Sequence, residues 1–92
     1  MQVNLYASFR ERAEIREFEM PVTSEATVQS MIHQILEKYP QLIPLWLDKL
    51  GELHGHVHIS LNQVDVMALP DRLETKVQES DTLDFYPPIT GG

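Results

Sequence analysis

The feature that most constrains the fold is one apolar stripe at helical spacing, which lies between segments of alternating apolar residues. The stripe runs from Val28 to Tyr39, and its other members are Met31, Ile32, Ile35 and Leu36. Residues spaced in this way line one side of an α-helix. Thr27, directly before the stripe, is a good N-cap, and Pro40 pushes the residue before it out of the helical region. The pattern predicts one amphipathic helix with its apolar side in the core.

Period-two alternation on both sides of this helix predicts strands. Before the helix it predicts an antiparallel hairpin, whose strands are joined by a turn or longer connection over the polar residues 8–14. After the helix it predicts a third strand, a tight turn at Asn62-Gln63, a short edge strand over residues 64–69, and a final strand that Pro87-Pro88 ends. The alternating apolar residues of the four longer strands are Val3, Leu5 and Ala7; Phe18, Met20 and Val22; Val57, Ile59 and Leu61; and Leu83 and Phe85.

Two remaining segments have weaker patterns. Residues 44–50 favour a short second helix that Gly51 ends, with three apolar residues turned inward: Leu45, Trp46 and Leu50. Residues 70–81 read as a polar loop with two apolar anchors, Leu73 and Val77. The order of elements predicts an α+β fold, in which one main helix packs across a mixed sheet of four or five strands. We expect one domain over residues 1–86 and an extended tail over residues 87–92.

Composition excludes several classes of function. Fourteen acidic residues against seven basic ones give a net charge of −7, which argues against nucleic acid or an anionic membrane surface as a partner. That charge permits a partner with a basic docking groove, although an excess of either sign also keeps a small protein soluble. The chain has no cysteine, so it has neither a thiolate nucleophile nor a cysteine-based zinc site. No segment has the pattern of a signal peptide or a membrane span, and we expect a cytoplasmic protein.

The last residues of the chain have features expected of a C-terminal tail that reacts in the active site of another protein. Pro87 and Pro88 stiffen the exit from the final strand into an extended path, and Ile89 and Thr90 lead from there to Gly91-Gly92. A chain end without side chains can enter a channel in which any Cβ atom would clash. The group delivered in this way is the Gly92 carboxylate, which becomes an acyl donor only after activation. A frayed glycine end is the simpler alternative for the dipeptide alone.

The terminal sequence Phe85-Tyr86-Pro87-Pro88-Ile89-Thr90-Gly91-Gly92 resembles the signature of the MoaD/ThiS sulfur-carrier superfamily. The resemblance extends over the whole chain. Leu5-Tyr6-Ala7 with Arg10-Glu11 is similar to the family's first strand and the arginine after it, Thr27-Val28 to its helix start, and Leu61-Asn62 to the strand end before its turn. The middle segment, Gly51-Glu52-Leu53 followed by His56, is more similar to the small archaeal modifier proteins than to bacterial MoaD.

This resemblance implies a ubiquitin-like β-grasp fold and a protein that is acted on rather than a catalyst. It implies no bound cofactor and a partner of the ubiquitin-activating type, similar to MoeB or ThiF, that uses ATP and magnesium to adenylate Gly92. The activated carboxylate is then joined to lysines of target proteins, or becomes a thiocarboxylate that donates sulfur in molybdopterin biosynthesis or tRNA thiolation. A dedicated small subunit of molybdopterin synthase is the alternative within the family. Because the chain already ends at Gly92, we expect no processing step to expose it.

A partner surface is predicted around two tyrosines. Tyr6 and Tyr86 fall on the outward phase of the first and last strands, and in the family these strands are neighbours, so the two rings form one patch beside Arg10. Aromatic and arginine side chains are common anchors of protein interfaces, and the resemblance carries this face over as the surface for the activating enzyme. Asp65 within Val64–Val66 departs from the apolar run of bacterial MoaD, which weakens the case for the large subunit of molybdopterin synthase as the partner.

Two further sets of residues are weaker candidates for function. His54, His56 and His58 alternate along the approach to the third strand, but same-face neighbours lie roughly 6–7 Å apart, and three ligands in a line converge poorly on one metal ion. We therefore interpret these histidines as part of an exposed polar face. A metal-binding module is the rival function from another class, and an inert interaction domain is a third possibility. The only lysines are Lys38, Lys49 and Lys76, the candidate acceptors if the protein forms chains on itself.

Overall fold

A computed structural model describes residues 1–88 of the chain. Their strands and helices are, in chain order, β1 (Gln2–Leu5), α1 (Ala7–Ala13), β2 (Glu17–Glu19), α2 (Val28–Lys38), α3 (Ile43–Trp46), β3 (His58–Leu61), β4 (Val64–Asp65) and β5 (Thr82–Tyr86). Three 3-10 turns lie at Pro40–Leu42, Val66–Ala68 and Arg72–Glu74. In this part of the chain, no helix has the length and apolar character needed to cross a bilayer.

The five strands form one mixed sheet in the order β2-β1-β5-β3-β4. The two central strands, β1 and β5, are parallel, and the other pairs are antiparallel. The α+β prediction of a mixed sheet with a main helix is thus confirmed. β5 is hydrogen-bonded on both sides, to β1 and to β3, so the strand that leads to the C-terminus is held at the centre of the sheet.

Helix α2 has the predicted cap and stripe. The Ser30 amide donates to Thr27 Oγ1 at 3.1 Å, and the Thr27 amide donates to Ser30 Oγ at 2.9 Å, which forms a reciprocal capping box. The stripe is buried from Val28 to Leu36, and the helix ends at Lys38, two residues before Pro40. These side chains share one core with the inward residues of the sheet.

An aromatic stack forms the centre of the core. Trp46 is fully buried and lies on Phe85, with ring centroids 4.5 Å apart and planes 20° apart. Phe9 meets the same indole edge-on at 5.7 Å. Burial of aromatic groups of this size contributes a large share of the stability of a small domain.

Residues 8–14, predicted as a turn or connection, are mostly the short helix α1. Phe9 and Ala13 lie four residues apart on its buried side, and Glu14 ends it in the left-handed conformation at φ 60°. β1 therefore ends at Leu5, and the predicted strand residue Ala7 is an exposed residue of this helix. Seven residues with only two buried positions give too weak a periodicity to identify a helix from the sequence.

The second predicted helix is shorter than expected. Helix α3 ends at Trp46, and Leu50, predicted to point inward, is 85% exposed. The reason is the carboxylate of Asp48, which accepts from the amides of Leu50 and Glu52 and holds the segment as a turn. Gly51 takes a φ of 79° in this turn rather than ending a helix.

The region around β4 is partly as predicted. Asn62 and Gln63 form the expected tight turn, with φ of 50° and 70°. The edge strand stops at Asp65 instead of continuing to residue 69, because the Asp65 carboxylate accepts from the Met67 amide and starts a 3-10 turn. In the following loop Val77 is buried and Leu73 packs against the core, so both predicted anchors are confirmed.

Candidate functional site

The exit of β5 places the start of the tail at one end of the sheet. β5 ends at Tyr86, and Pro87 and Pro88 follow without regular secondary structure. Neither proline has an N–H group, so neither continues the ladder. The predicted threading residues Ile89, Thr90 and Gly91, and the predicted reactive carboxylate of Gly92, lie outside the described residues. Their role stays a prediction.

The strands have two different faces. One face is buried against α2, and the other, which we call the open face, carries the side chains that alternate with the core residues. At the tail end of the open face lies an aromatic row. The rings of Tyr6 and Tyr86 meet edge-on at 6.3 Å, and the His58 ring stacks on Tyr86 at 5.6 Å. The predicted neighbourhood of Tyr6 and Tyr86 is therefore confirmed.

The next row of the open face is polar and centres on Asp84. Asn4 of β1 and Ser60 of β3 lie directly opposite Asp84, and Asn4 Nδ2 donates to Asp84 Oδ1 at 2.7 Å. Burial raises the pKa of the Tyr6 hydroxyl, and the negative charge of the nearby Asp84 carboxylate adds to this effect. Ser60 Oγ lies 3.1 Å from the Tyr86 hydroxyl, within hydrogen-bond distance.

Between these rows lies an open groove of about 880 Å³. Its lining includes Tyr6 and Ser8 on one side, Ser60 on the other, Asp84 and Tyr86 at its floor, and Pro88 at the tail end. Asp84 and Ser60 were not identified as site residues from the sequence. The strand periodicity could have identified Asp84, because it lies two residues from Tyr86 on the same strand and therefore on the same face.

Arg10 is next to Tyr6 but outside the groove. Its amide donates to the Tyr6 carbonyl at 3.4 Å, and its side chain lines a second, smaller pocket of about 300 Å³ together with Tyr6, Arg16 and Glu17. Tyr6 borders both pockets. Arg10 is thus a neighbour of the aromatic patch on the side of Tyr6. Tyr86 and Asp84 line the groove but not this smaller pocket.

The three histidines do not converge on one point. His54 stacks on His56 with centroids 4.5 Å apart, while His58 stacks on Tyr86. Within residues 1–88, no three side chains of the metal-ligating kinds are grouped around a common centre. The arrangement favours packing roles for these rings, with His58 belonging to the aromatic row.

The three lysines have different surroundings. Lys76 Nζ lies 2.7 Å from a carboxylate oxygen of Glu25. Lys38 Nζ lies over the rings of Phe18 and Tyr39, 5.5 Å and 5.8 Å from their centroids. Lys49 is in the exposed turn after α3 and takes part in none of the ion pairs or cation–π contacts among the described residues.

The fold and the exit of β5 define a class, that of β-grasp proteins of the ubiquitin type. Comparison with known families identifies the group within it: the model of the ThiS family matches residues 3–92. The chain therefore belongs to the ThiS family, among the ubiquitin-like modifiers and sulfur carriers.

Individual relatives agree with this assignment. The chain is 26% identical to small archaeal modifier protein 3 of Haloferax volcanii over 92 residues, which cover 100% of this chain and 98% of that protein. It is similar to the crystal structure of small archaeal modifier protein 1 of the same organism, with a TM-score of 0.87, 25% identity, and coverage of 99% and 97% of the two chains. A chain of the BexX/CysO complex of Amycolatopsis orientalis matches with a TM-score of 0.78, 26% identity, and coverage of 99% and 98%.

Proposed function

We propose that this protein is a carrier whose Gly92 carboxylate is adenylated by an activating enzyme of the MoeB or ThiF kind. In that step a carboxylate oxygen attacks the α-phosphorus of ATP and pyrophosphate leaves. The partner supplies the ATP site, the magnesium and the catalysis. The carrier supplies the carboxylate and the surface by which the partner recognises it.

The observation that carries this proposal is the position of the chain's exit. β5 is the central strand and is paired on both sides, so Pro87 and Pro88 leave from a firmly held strand, directly beside the aromatic row and the groove. A partner that docks on Tyr6 and Tyr86 therefore has the start of the tail at the edge of its footprint. Two prolines then favour an extended path away from the domain.

Two fates of the adenylate are consistent with the family. A lysine amine of a target protein displaces AMP and forms an isopeptide bond, or hydrosulfide displaces AMP, loses its proton and leaves a thiocarboxylate. Similarity to the small archaeal modifier proteins supports conjugation, and membership of the ThiS family supports sulfur transfer. The thiocarboxylate would serve molybdopterin biosynthesis or tRNA thiolation, and service as the small subunit of molybdopterin synthase is one form of that role.

Intact-mass and linkage analysis of the protein recovered from its native cell, under non-reducing conditions, tests this function. We expect a fraction in which one oxygen of Gly92 is replaced by sulfur, isopeptide bonds from Gly92 to lysines of other proteins, or both. The matched control is a variant that lacks Gly91 and Gly92, which should give neither product while keeping the fold. Recovery of neither product from the unaltered chain, in cells that contain the activating enzyme, would contradict the proposal.

A further inference from the structure

The groove of the open face contains a carboxylate at its floor. Asp84 is the only charged residue among the described residues that line it. The side chain is half-buried on the central strand β5. A carboxylate at the floor of an open groove can form charge-assisted hydrogen bonds with a cation that enters the groove.

The partners that Asp84 has within the chain are neutral. Asn4 Nδ2 donates to Asp84 Oδ1 at 2.7 Å, and the uncharged Tyr6 hydroxyl lines the same groove. The ion pairs among the described residues involve Glu19 and Glu25, not Asp84. Arg10 and Arg16 line the smaller pocket rather than the groove. The carboxylate is thus hydrogen-bonded but has no positive charge within ion-pair distance in residues 1–88.

The groove walls suit one kind of cation. Two tyrosine rings, perpendicular to each other and with centroids 6.3 Å apart, border the carboxylate, and Tyr6 is 44% exposed. A cation is attracted to the face of an aromatic ring. A guanidinium group also stacks flat on such a ring and binds a carboxylate through two parallel hydrogen bonds, which an ammonium group does not do.

We propose that the groove receives an arginine side chain of the activating enzyme, which pairs with Asp84 between Tyr6 and Tyr86. This inference rests on the proposed function and adds the chemistry by which the partner recognises the carrier. The net charge of −7 agrees with a partner whose docking surface is basic, because complementary charge steers encounter and fixes orientation.

Steady-state kinetics with the activating enzyme encoded in the same genome tests the pairing. Asp84→Asn keeps the size of the side chain and an oxygen that can accept from Asn4 Nδ2, and it removes the charge. We expect the KM for the carrier in ATP–pyrophosphate exchange to rise about tenfold at low salt, with kcat unchanged, and the salt dependence of KM to become weaker. Glu37→Gln, an exposed position on α2, changes net charge equally and should leave KM as in the wild type. Equal KM values for the two variants would overturn the inference.

A second measurement does not depend on the enzyme. Ethylguanidinium chloride is titrated into the protein while the ring and amide resonances of Tyr6 and Tyr86 are followed by NMR. We expect saturable shifts in the wild type and in Glu37→Gln, and their loss in Asp84→Asn. Shifts no larger than those caused by equal sodium chloride would overturn the inference. If the wild-type chain supports no pyrophosphate exchange, the proposed function is wrong, and the titration still decides whether Asp84 takes a guanidinium.

Discussion

The two faces of the sheet are built from the same strands, but one packs into the core and the other is exposed. Neighbouring residues of β5 illustrate the difference. Phe85 is fully buried and stacks on Trp46. Tyr86, the next residue, faces the open side, where its ring meets Tyr6 and His58. One phase of the strand therefore holds the domain together, and the other presents a surface. Substitutions in the two phases should therefore have separable effects on stability and on partner binding.

The largest effect is expected from Phe85→Ala. The substitution removes the ring that stacks on Trp46 and leaves a cavity in a small core, so the free energy of unfolding should fall by about 3–5 kcal/mol. Denaturant unfolding followed by circular dichroism measures this change.

Tyr86→Ala is the matched control, one residue along the same strand. It removes a half-buried ring and the contact with Ser60, so its cost should be nearer about 1 kcal/mol. Equal losses for the two variants would mean that the open face is part of the folding core, and the comparison between the faces would fail.

The sequence predicted the inner face well because its patterns are long or end at a clear signal. The stripe of α2 repeats its period over residues 28–39, Leu83 and Phe85 alternate up to the proline pair that ends β5, and Thr27 carries a capping signal that acts locally. The tight turn at Asn62-Gln63 was likewise readable, since it depends on only two residues. Each of these predictions rested on physics that operates within one element.

The failures concern features that depend on a single side chain or on a distant element. The turn after α3 follows from one carboxylate, Asp48, and the early end of β4 follows from another, Asp65. In the site, Tyr6 and Tyr86 were predictable from their phase, but the importance of Asp84 was not. Asp84 becomes a candidate site residue only because strands β1, β5 and β3 form a groove around it. The pairing of these strands is set by tertiary structure and not by local sequence.

A smaller effect tests the helix that covers the inner face. Thr27→Ala removes the hydroxyl that accepts from the Ser30 amide, and loss of a cap of this type costs about 1 kcal/mol. We expect thermal and denaturant unfolding to report that loss, while the KM for carrier activation stays unchanged. Thr23→Ala, in the exposed loop before the helix, is the control and should alter neither quantity. A change in KM for Thr27→Ala would show that the two faces are coupled.

The smallest effect concerns the turn at Asp48, which belongs to neither face. Backbone hydrogen bonds, that with the Glu52 amide foremost, hold the pKa of the Asp48 carboxyl below its usual value. The folded state favours the charged form of Asp48. Its hydrogen bonds therefore stabilise the folded state fully above the usual Asp pKa of about 3.9, and this stabilisation is lost as the pH falls through the lower pKa of the folded protein. In an NMR pH titration the Leu50 and Glu52 amides should shift together at that lower midpoint, before Phe85 and Tyr86 respond. Asp48→Asn should abolish the transition, and a midpoint at or above the usual pKa would contradict the role assigned to these bonds.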